Sequence, residues 1–354
     1  MRGNNTHRSI LFVLLAAAGL VPAAAGQVTK VGSTLRITTG AADDDFMVVS
    51  GPVPGYTEVH NVAGVPSGIT FTGISRIEIN TNGGLDKIQI ESYSTSPPAL
   101  FINTGAGESL VNIDMLVPPT AAPVTSTIRV TGGSQIDVVN FNVESFADSI
   151  TMVWDVLAGG GFNETKAVFL SDIPSSFTAL DMGISGGAGN DTASIEVNSR
   201  ADVTALNLDG NLGAGFNEYK AMGKGSGASV TNLSTALVTG NGIDKVLLEF
   251  TESALTTWQG TIDTFGGADE VVALFPSALT GYWKVATGEG NDKGYVLVNG
   301  PISGTARYFL EGGNDFLEFL ADNVLPGSSI VSDGGPGIDE FKGVGTALNF
   351  EKLN

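Results

Sequence analysis

TGNGIDKVLLEFTESALTTWQGTIDTFGGADEVVALFPSALTGYWKVATGEGNDKGYVLV (residues 239–298) contains one short phrase three times. A glycine-rich turn leads to an aspartate and then to an apolar-rich run: TGNGIDKVLLEF (239–250), FGGADEVVALF (265–275) and GEGNDKGYVLV (288–298). Glycine and Asn/Asp supply the positive φ and tight turns that reverse a chain. The runs that follow are strand-like in length and composition. A phrase repeated at a period of 20–50 residues marks a stacked-repeat architecture, so it is weighed before local propensity.

The phrase recurs in both directions. Upstream lie NGGLDKIQI (82–90), TGAGESLVNI (104–113), TGGSQIDVVNF (131–141), GGGFNETKAVF (159–169), GGAGNDTASIEV (186–197) and GAGFNEYKAM (213–222). Downstream lie EGGNDFLEFL (311–320) and DGGPGIDEF (333–341), and TGAADDDFMVV (39–49) is a looser copy. Taking the acid as anchor gives Asp86, Glu108, Asp137, Glu164, Asp191, Glu218, Asp244, Asp269, Asp292, Asp315 and Asp339, spaced 22–29 residues apart. Each unit carries a second strand-like run, as in STIRVT (126–131), ALNLDG (205–210) and YWKVAT (282–287).

A unit of this length with two or three short strands cannot bury its own core, but a stack of them can. The expected fold is all-β: a parallel β-helix or β-solenoid of about 12 coils of 22–29 residues, forming a rod of roughly 55–60 Å at the parallel-strand spacing. Propeller blades need about 40–45 residues, and a β-sandwich has no reason to repeat its turn chemistry at a fixed period.

Residues 1–26 read as a cleaved signal peptide: Arg2, His7 and Arg8, then the apolar run ILFVLLAAAGLV (10–21), then Ala23-Ala24-Ala25. The run is short for a bilayer span, and no second one follows, so no transmembrane segment is expected. Residues 27–354 read as one solenoid domain, with 27–73 an irregular N-terminal coil and cap and 340–354 a C-terminal cap. The expected location is secreted, extracellular or cell-surface.

The full chain has a formal net charge of −20, and loss of the leader leaves 15 basic against 37 acidic residues, or −22. Such a surface repels nucleic acid and anionic membrane. With no cysteine and two histidines, of which His7 leaves with the leader, thiolate and two-histidine metal sites are excluded. His60 reads as a solvent-facing or hydrogen-bonded loop residue.

Stacking places equivalent carboxylates about 5 Å apart. Like charges at 4 Å repel by about 1 kcal/mol in water and about 4 kcal/mol at intermediate dielectric. A hard cation would relieve this. So would lysine: Lys87, Lys245 and Lys293 directly follow an anchor, and Lys166 and Lys220 lie two beyond one. A purely structural column of turn-capping side chains is the competing account.

GGPGIDEFK (334–342) and GGAGNDTAS (186–194) resemble the calcium-binding nonapeptide of haemolysin-type (RTX) proteins, and TGNGIDKVL (239–247) and TGEGNDKGY (287–295) are similar. The resemblance implies calcium held between stacked turns by loop carbonyls and the aspartate. It assigns that role to Asp191, Asp244, Asp292 and Asp339, and more loosely to Asp86, Asp269 and Asp315. This sequence departs from the family in carrying one motif per coil instead of a tandem run.

Repetition makes a long regular surface, so the leading functional reading is a non-enzymatic structural or adhesive protein. Its expected partners are extracellular polysaccharide or cell-surface components. Trp258, Tyr282, Trp283 and Tyr308 are candidates either for sugar stacking or for the core. The alternative is a polysaccharide-processing β-helix enzyme, a lyase or glycosidase, for which Asp181, Asp202, Arg200 and Lys284 are scattered candidates.

Overall fold

The computed structural model describes residues 26–51, 53, 55–171, 177–200, 203–225, 230–252 and 255–353. Of the expected leader only Gly26 falls among them. The described residues form strands and turns without a helix, wound into a parallel β-solenoid of about ten turns, close to the expected twelve. No helix among them is long and apolar enough to cross a membrane.

Each turn of the solenoid carries two strands, which resolves the choice between two and three. A first sheet stacks the strands that follow the glycine-rich corners. Asp86–Tyr93, Ser109–Thr120, Asp137–Ala147, Asn163–Ser171 and Asp191–Ser199 pair in parallel, each with the next. A second sheet stacks the other half of each coil, from Arg76–Asn80 and Ala99–Asn103 through Ala278–Ala286. Lys293–Phe309 runs through both: its start pairs with Glu270–Phe275 and its end with Ala278–Ala286.

Alternate residues of a strand face opposite ways, and the sequence keeps one parity apolar. Asp86–Tyr93 buries Asp86, Ile88, Ile90 and Ser92 and turns Lys87, Gln89, Glu91 and Tyr93 outward. In-register stacking then builds interior columns such as Ile90–Ile113–Phe141–Ala167–Ile195. Bulk is exchanged between columns. Phe141 stacks on Trp154 of the other sheet at 5.0 Å. Trp258 and Trp283 stack at 5.2 Å, while their indole N–H groups donate to Thr235 Oγ1 and the Tyr308 hydroxyl. Trp258, Trp283 and Tyr308 are thus core residues, and of the four aromatic candidates only Tyr282 is exposed, at 49%.

The N-terminal end differs from the rest. Gln27–Val31 pairs antiparallel with Thr34–Thr38, and Asp45–Ser50, Thr57–His60 and Ile69–Phe71 form an antiparallel meander. His60 lies in that meander, beside Glu58 and Ser67, instead of in a loop.

Replacing Trp283 by Ala removes a fully buried ring from a stacked pair and strands the Tyr308 hydroxyl. The expected loss is about 3–5 kcal/mol of unfolding free energy, read by urea denaturation; a loss below 1 kcal/mol would mean that the aromatic column does not hold the layers.

Candidate functional site

The glycine-rich corners stack into one edge of the rod, where the first-sheet strands begin. Their first inward-facing position forms a single column: Asp44, Asp86, Ser109, Asp137, Asn163, Asp191, Asn217, Asp244, Asp269, Asp292, Asp315 and Asp339. Every member is at most 7% exposed. All seven aspartates assigned by the resemblance, Asp86, Asp191, Asp244, Asp269, Asp292, Asp315 and Asp339, fall in it. Glu108, Glu164 and Glu218 do not. They face outward, and the adjacent Ser109, Asn163 and Asn217 take their places. Asp137 and Asp44 complete the column.

The column is a ladder of hydrogen bonds. The backbone N–H of Asp244 donates to Asp269 Oδ1 at 2.8 Å, that of Asp269 to Asp292 Oδ1 at 2.9 Å, and that of Asp292 to Asp315 Oδ1 at 2.8 Å. Asp315 donates in turn to Asp339 Oδ1, and Asp339 N–H ends the series on Glu351 Oε2 at 2.7 Å. The amides bond alike: Asp191 N–H donates to Asn217 Oδ1, and Asn217 N–H to Asp244 Oδ1. A second, outer ladder runs the opposite way one residue earlier, where Asn190 Oδ1 accepts Phe216 N–H and Asn314 Oδ1 accepts Ile338 N–H. The glycines follow from the same stacking. A Cβ on Gly290, at φ +150°, would lie 1.3 Å from the Gly267 carbonyl oxygen of the layer before.

The second carboxylate oxygen is the anomaly. Oδ2 of Asp44, Asp86, Asp191, Asp244, Asp269, Asp292, Asp315 and Asp339 is buried and has no hydrogen-bond partner. At Asp86, Asp191, Asp244, Asp269, Asp292, Asp315 and Asp339 burial pushes the carboxyl above its ordinary value, opposed in part by donated N–H groups and, at Asp86, Asp244, Asp269 and Asp292, by a threonine hydroxyl. Asp269 rises to about 7, and Asp86, Asp292 and Asp315 to about 6. Asp137, Asp191, Asp244 and Asp339 are also raised. Neighbouring column aspartates add to the rise at Asp269, Asp292, Asp315 and Asp86, whereas Asp137 and Asp191 lie between neutral Ser and Asn. The lysines do not relieve this charge. Lys87, Lys245 and Lys293 point outward, and Lys245 pairs with Glu270 at 3.1 Å.

A cation, a proton, a water molecule or the threonine hydroxyl beside Asp86, Asp244, Asp269 and Asp292 can each satisfy an orphaned buried oxygen. Calcium takes six to eight oxygens. The column offers one carboxylate per layer, with Oδ1 already engaged, and no group of three His, Cys, Asp or Glu converges among the described residues. The side chains therefore do not complete a calcium shell. The amide positions display the neutral solution. Asn217 Nδ2 donates to the Gly213 carbonyl at 3.0 Å, and Asn163 Nδ2 to that of Gly159 at 3.3 Å. A protonated Asp carries its O–H where Asn carries this N–H and can make the same bond four residues back.

A second feature lies on the outer face of the first sheet, toward the far ends of its strands. Two depressions of about 480 and 630 Å³ share Leu170 and Asn198 in their walls and so lie side by side as a two-part channel across the layers. Glu91, Tyr93, Asp114, Asn142 and Glu144 line its first part, and Glu196, Arg200, Lys224 and Glu252 its second. Gln89 and Asn142 donate to the two oxygens of Asp114 at 2.7 and 3.3 Å, leaving Glu91 and Glu144 as the carboxylates of the first part without such a clamp. Arg200 lies at this channel. Asp181 and Lys284 belong to second-sheet strands, so the three described catalytic candidates are not brought together; Asp202 lies outside the described residues.

No family model matches the sequence, and no curated protein or solved structure is significantly similar to it.

A carboxyl that binds its proton more tightly in the folded than in the unfolded chain stabilises the fold below its unfolded value, near pH 4. That contribution is lost as pH rises through the folded value of about 6–7. Thermal stability should therefore fall between pH 5 and pH 8. Asp269→Asn should flatten that fall and gain on the order of 1–3 kcal/mol at pH 8. A variant less stable than the parent at pH 8 would show that Asp269 serves there as a carboxylate.

Proposed function

We propose that this chain is an exported, non-catalytic scaffold or adhesion rod that holds a neutral or amino-sugar polysaccharide along the first-sheet channel. The supporting observation is that the two parts of that channel adjoin, sharing Leu170 and Asn198. It presents hydroxyl-binding carboxylates and amides beside the exposed ring of Tyr93, 44% accessible, and does so layer after layer. Carboxylates and amides bond sugar hydroxyls, and an aromatic face packs on the apolar face of a sugar ring. The strongly acidic chain disfavours uronic-acid and sulfated polymers. The basic, apolar leader at residues 1–26 supports the exported location.

A polysaccharide-processing reading is favoured by one observation, the presence of Glu91 and Glu144 in the same channel. Two carboxyl groups flanking a glycosidic bond supply acid and base. Binding and turnover separate the two readings. Affinity electrophoresis against neutral, amino and uronic-acid polysaccharides should retard the protein on the first two. Tyr93→Ala should weaken that retardation about tenfold, the loss of one stacked ring. Retardation by none of them would remove the channel reading. Sugar release that Glu144→Gln abolishes while retardation persists would make the protein an enzyme.

We also read the corner column as held by its hydrogen-bond ladder, its charge relieved by protons only as the pH falls through about 6–7, with calcium, whose shell the side chains alone do not complete, as the competing proposal. Melting at pH 7.5 in EDTA and in millimolar Ca²⁺ should give the same midpoint. A rise of several degrees with Ca²⁺ would assign the cation to the corner, with turn carbonyls completing its shell.

A further inference from the structure

The residue immediately before the buried column faces solvent, and in much of the rod it is large and apolar. Leu85, Ile136, Phe162, Phe216 and Ile243 are 46, 41, 47, 60 and 54% exposed. Their column through six successive layers reads Leu85, Glu108, Ile136, Phe162, Asn190, Phe216. In apolar and polar terms this pattern is the same in either direction. A pattern that reads the same both ways is what an isologous, two-fold contact requires.

We propose that this corner stripe is the interface of an antiparallel, side-by-side homodimer, with its two-fold axis between the layers of Ile136 and Phe162. The operator then sets Ile136 against Phe162, Leu85 against Phe216 and Glu108 against Asn190 of the second copy. Within these six layers each apolar side chain meets an apolar one, and the flanking pair sets Ile243 against Asp43 at the rim. The single polar pairing is complementary: Asn190 engages its own chain through Oδ1, so its amide N–H groups can donate to the Glu108 carboxylate. Beside Leu85 lies a depression of about 410 Å³ lined by Asp43, Gly84, Ala106, Gly107 and Glu108, where Phe216 of the second copy would seat.

Charge agrees with this register. The outward-facing position after the column, exposed or half-buried, reads Lys87, Leu110, Val138, Glu164, Thr192, Glu218 through the same layers. The two-fold sets Lys87 against Glu218 and opposes no like charges. Centring the axis on Phe162 instead would oppose Glu164 to itself and Lys87 to Lys245. Parallel rods would oppose Glu108 to itself. The six layers span about 24 Å, and a strip of that length buries on the order of 500 Å² per copy against roughly 800 Å² for a standard stable interface. The dimer should therefore be concentration-dependent, forming at micromolar concentrations and above. The channel lies about six residues further along the same strands, some 20 Å away, and stays open.

The chain lacks cysteine, so single cysteines report the register directly. Sedimentation velocity of the purified protein from 1 to 200 μM should show a shift from monomer to dimer. Phe162→Asp, an exposed change, should weaken it at least 30-fold, the loss of a central hot spot, with an unaltered melt. Lys87→Glu should weaken it, and adding Glu218→Lys in the same chain should restore it. Mixed Ile136→Cys and Phe162→Cys proteins should form a disulfide-linked heterodimer under mild oxidation, with little self-linkage of either. A monomer throughout the range overturns the proposal, and so does Phe162→Cys linking mainly to itself, which marks either parallel rods or an antiparallel axis centred on Phe162. Neither outcome bears on polysaccharide retention, so this inference fails separately from the channel reading.

Discussion

The fold depends on keeping successive corners in register while their polar groups are buried. At each corner a backbone N–H would otherwise face the interior unpaired, at a cost of about 1–3 kcal/mol. A side-chain oxygen from the next layer accepts it, at 2.8–3.3 Å from Asp137 to Asp339. That bond fixes the layer spacing, and the spacing leaves no room for a Cβ at positions such as Gly267 and Gly290. Glycine and Asp thus recur together because one contact needs both. This accounts for the nonapeptide-like signature by stacking geometry, whether or not a cation takes part.

Fixed register also determines the surface. Every column has one address along the strand, so a residue type placed there repeats as a line along the rod. The position before the buried column gives a largely apolar stripe from Leu85 to Ile243, the position after it a line of charged and neutral residues, and the far end of the strand the channel wall. A solenoid thereby turns a one-residue preference into an extended contact surface without a convergent loop cluster. This is why a linear ligand or a second rod suits the molecule better than a compact one.

The architecture was legible because the phrase at 239–298 repeats its turn and strand chemistry together. Side-chain direction was less so. Choosing the acid as anchor shifts three layers by one residue, and one residue reverses inside and outside. In NETKAVFL (163–170), Phe169 and Ala167 share parity with Asn163 and not with Glu164, so the apolar alternation contained the correction. The channel left no such mark. It arises from strands far apart in sequence, and Glu91, Asn142 and Asn198 carry no motif that links them. The burial of Trp258 and Trp283 was equally hidden, since which strand face is inward depends on the stack.

The composition of the column is uneven, and the unevenness has an electrostatic reason. From Asp86 to Asp244 it alternates as Asp, Ser, Asp, Asn, Asp, Asn, Asp, so no two of these carboxyls are neighbours. From Asp244 to Asp339 five aspartates stack without interruption. Asp269, Asp292 and Asp315, all in the uninterrupted run, are each raised by neighbouring Asp charge as well as by burial. Asp137 and Asp191, flanked by neutral groups, are raised by burial alone. Neighbour contacts dominate a stacked array, so its parts can differ in stability. In the alternating half the carboxyls are separated by neutral groups, while in the C-terminal half five adjacent aspartates add mutual repulsion to the cost of burial. Neighbour repulsion, and the pH sensitivity it adds, is therefore concentrated where Asn and Ser stop interrupting the acids, with Asp86 beside Asp44 its counterpart at the N-terminal end.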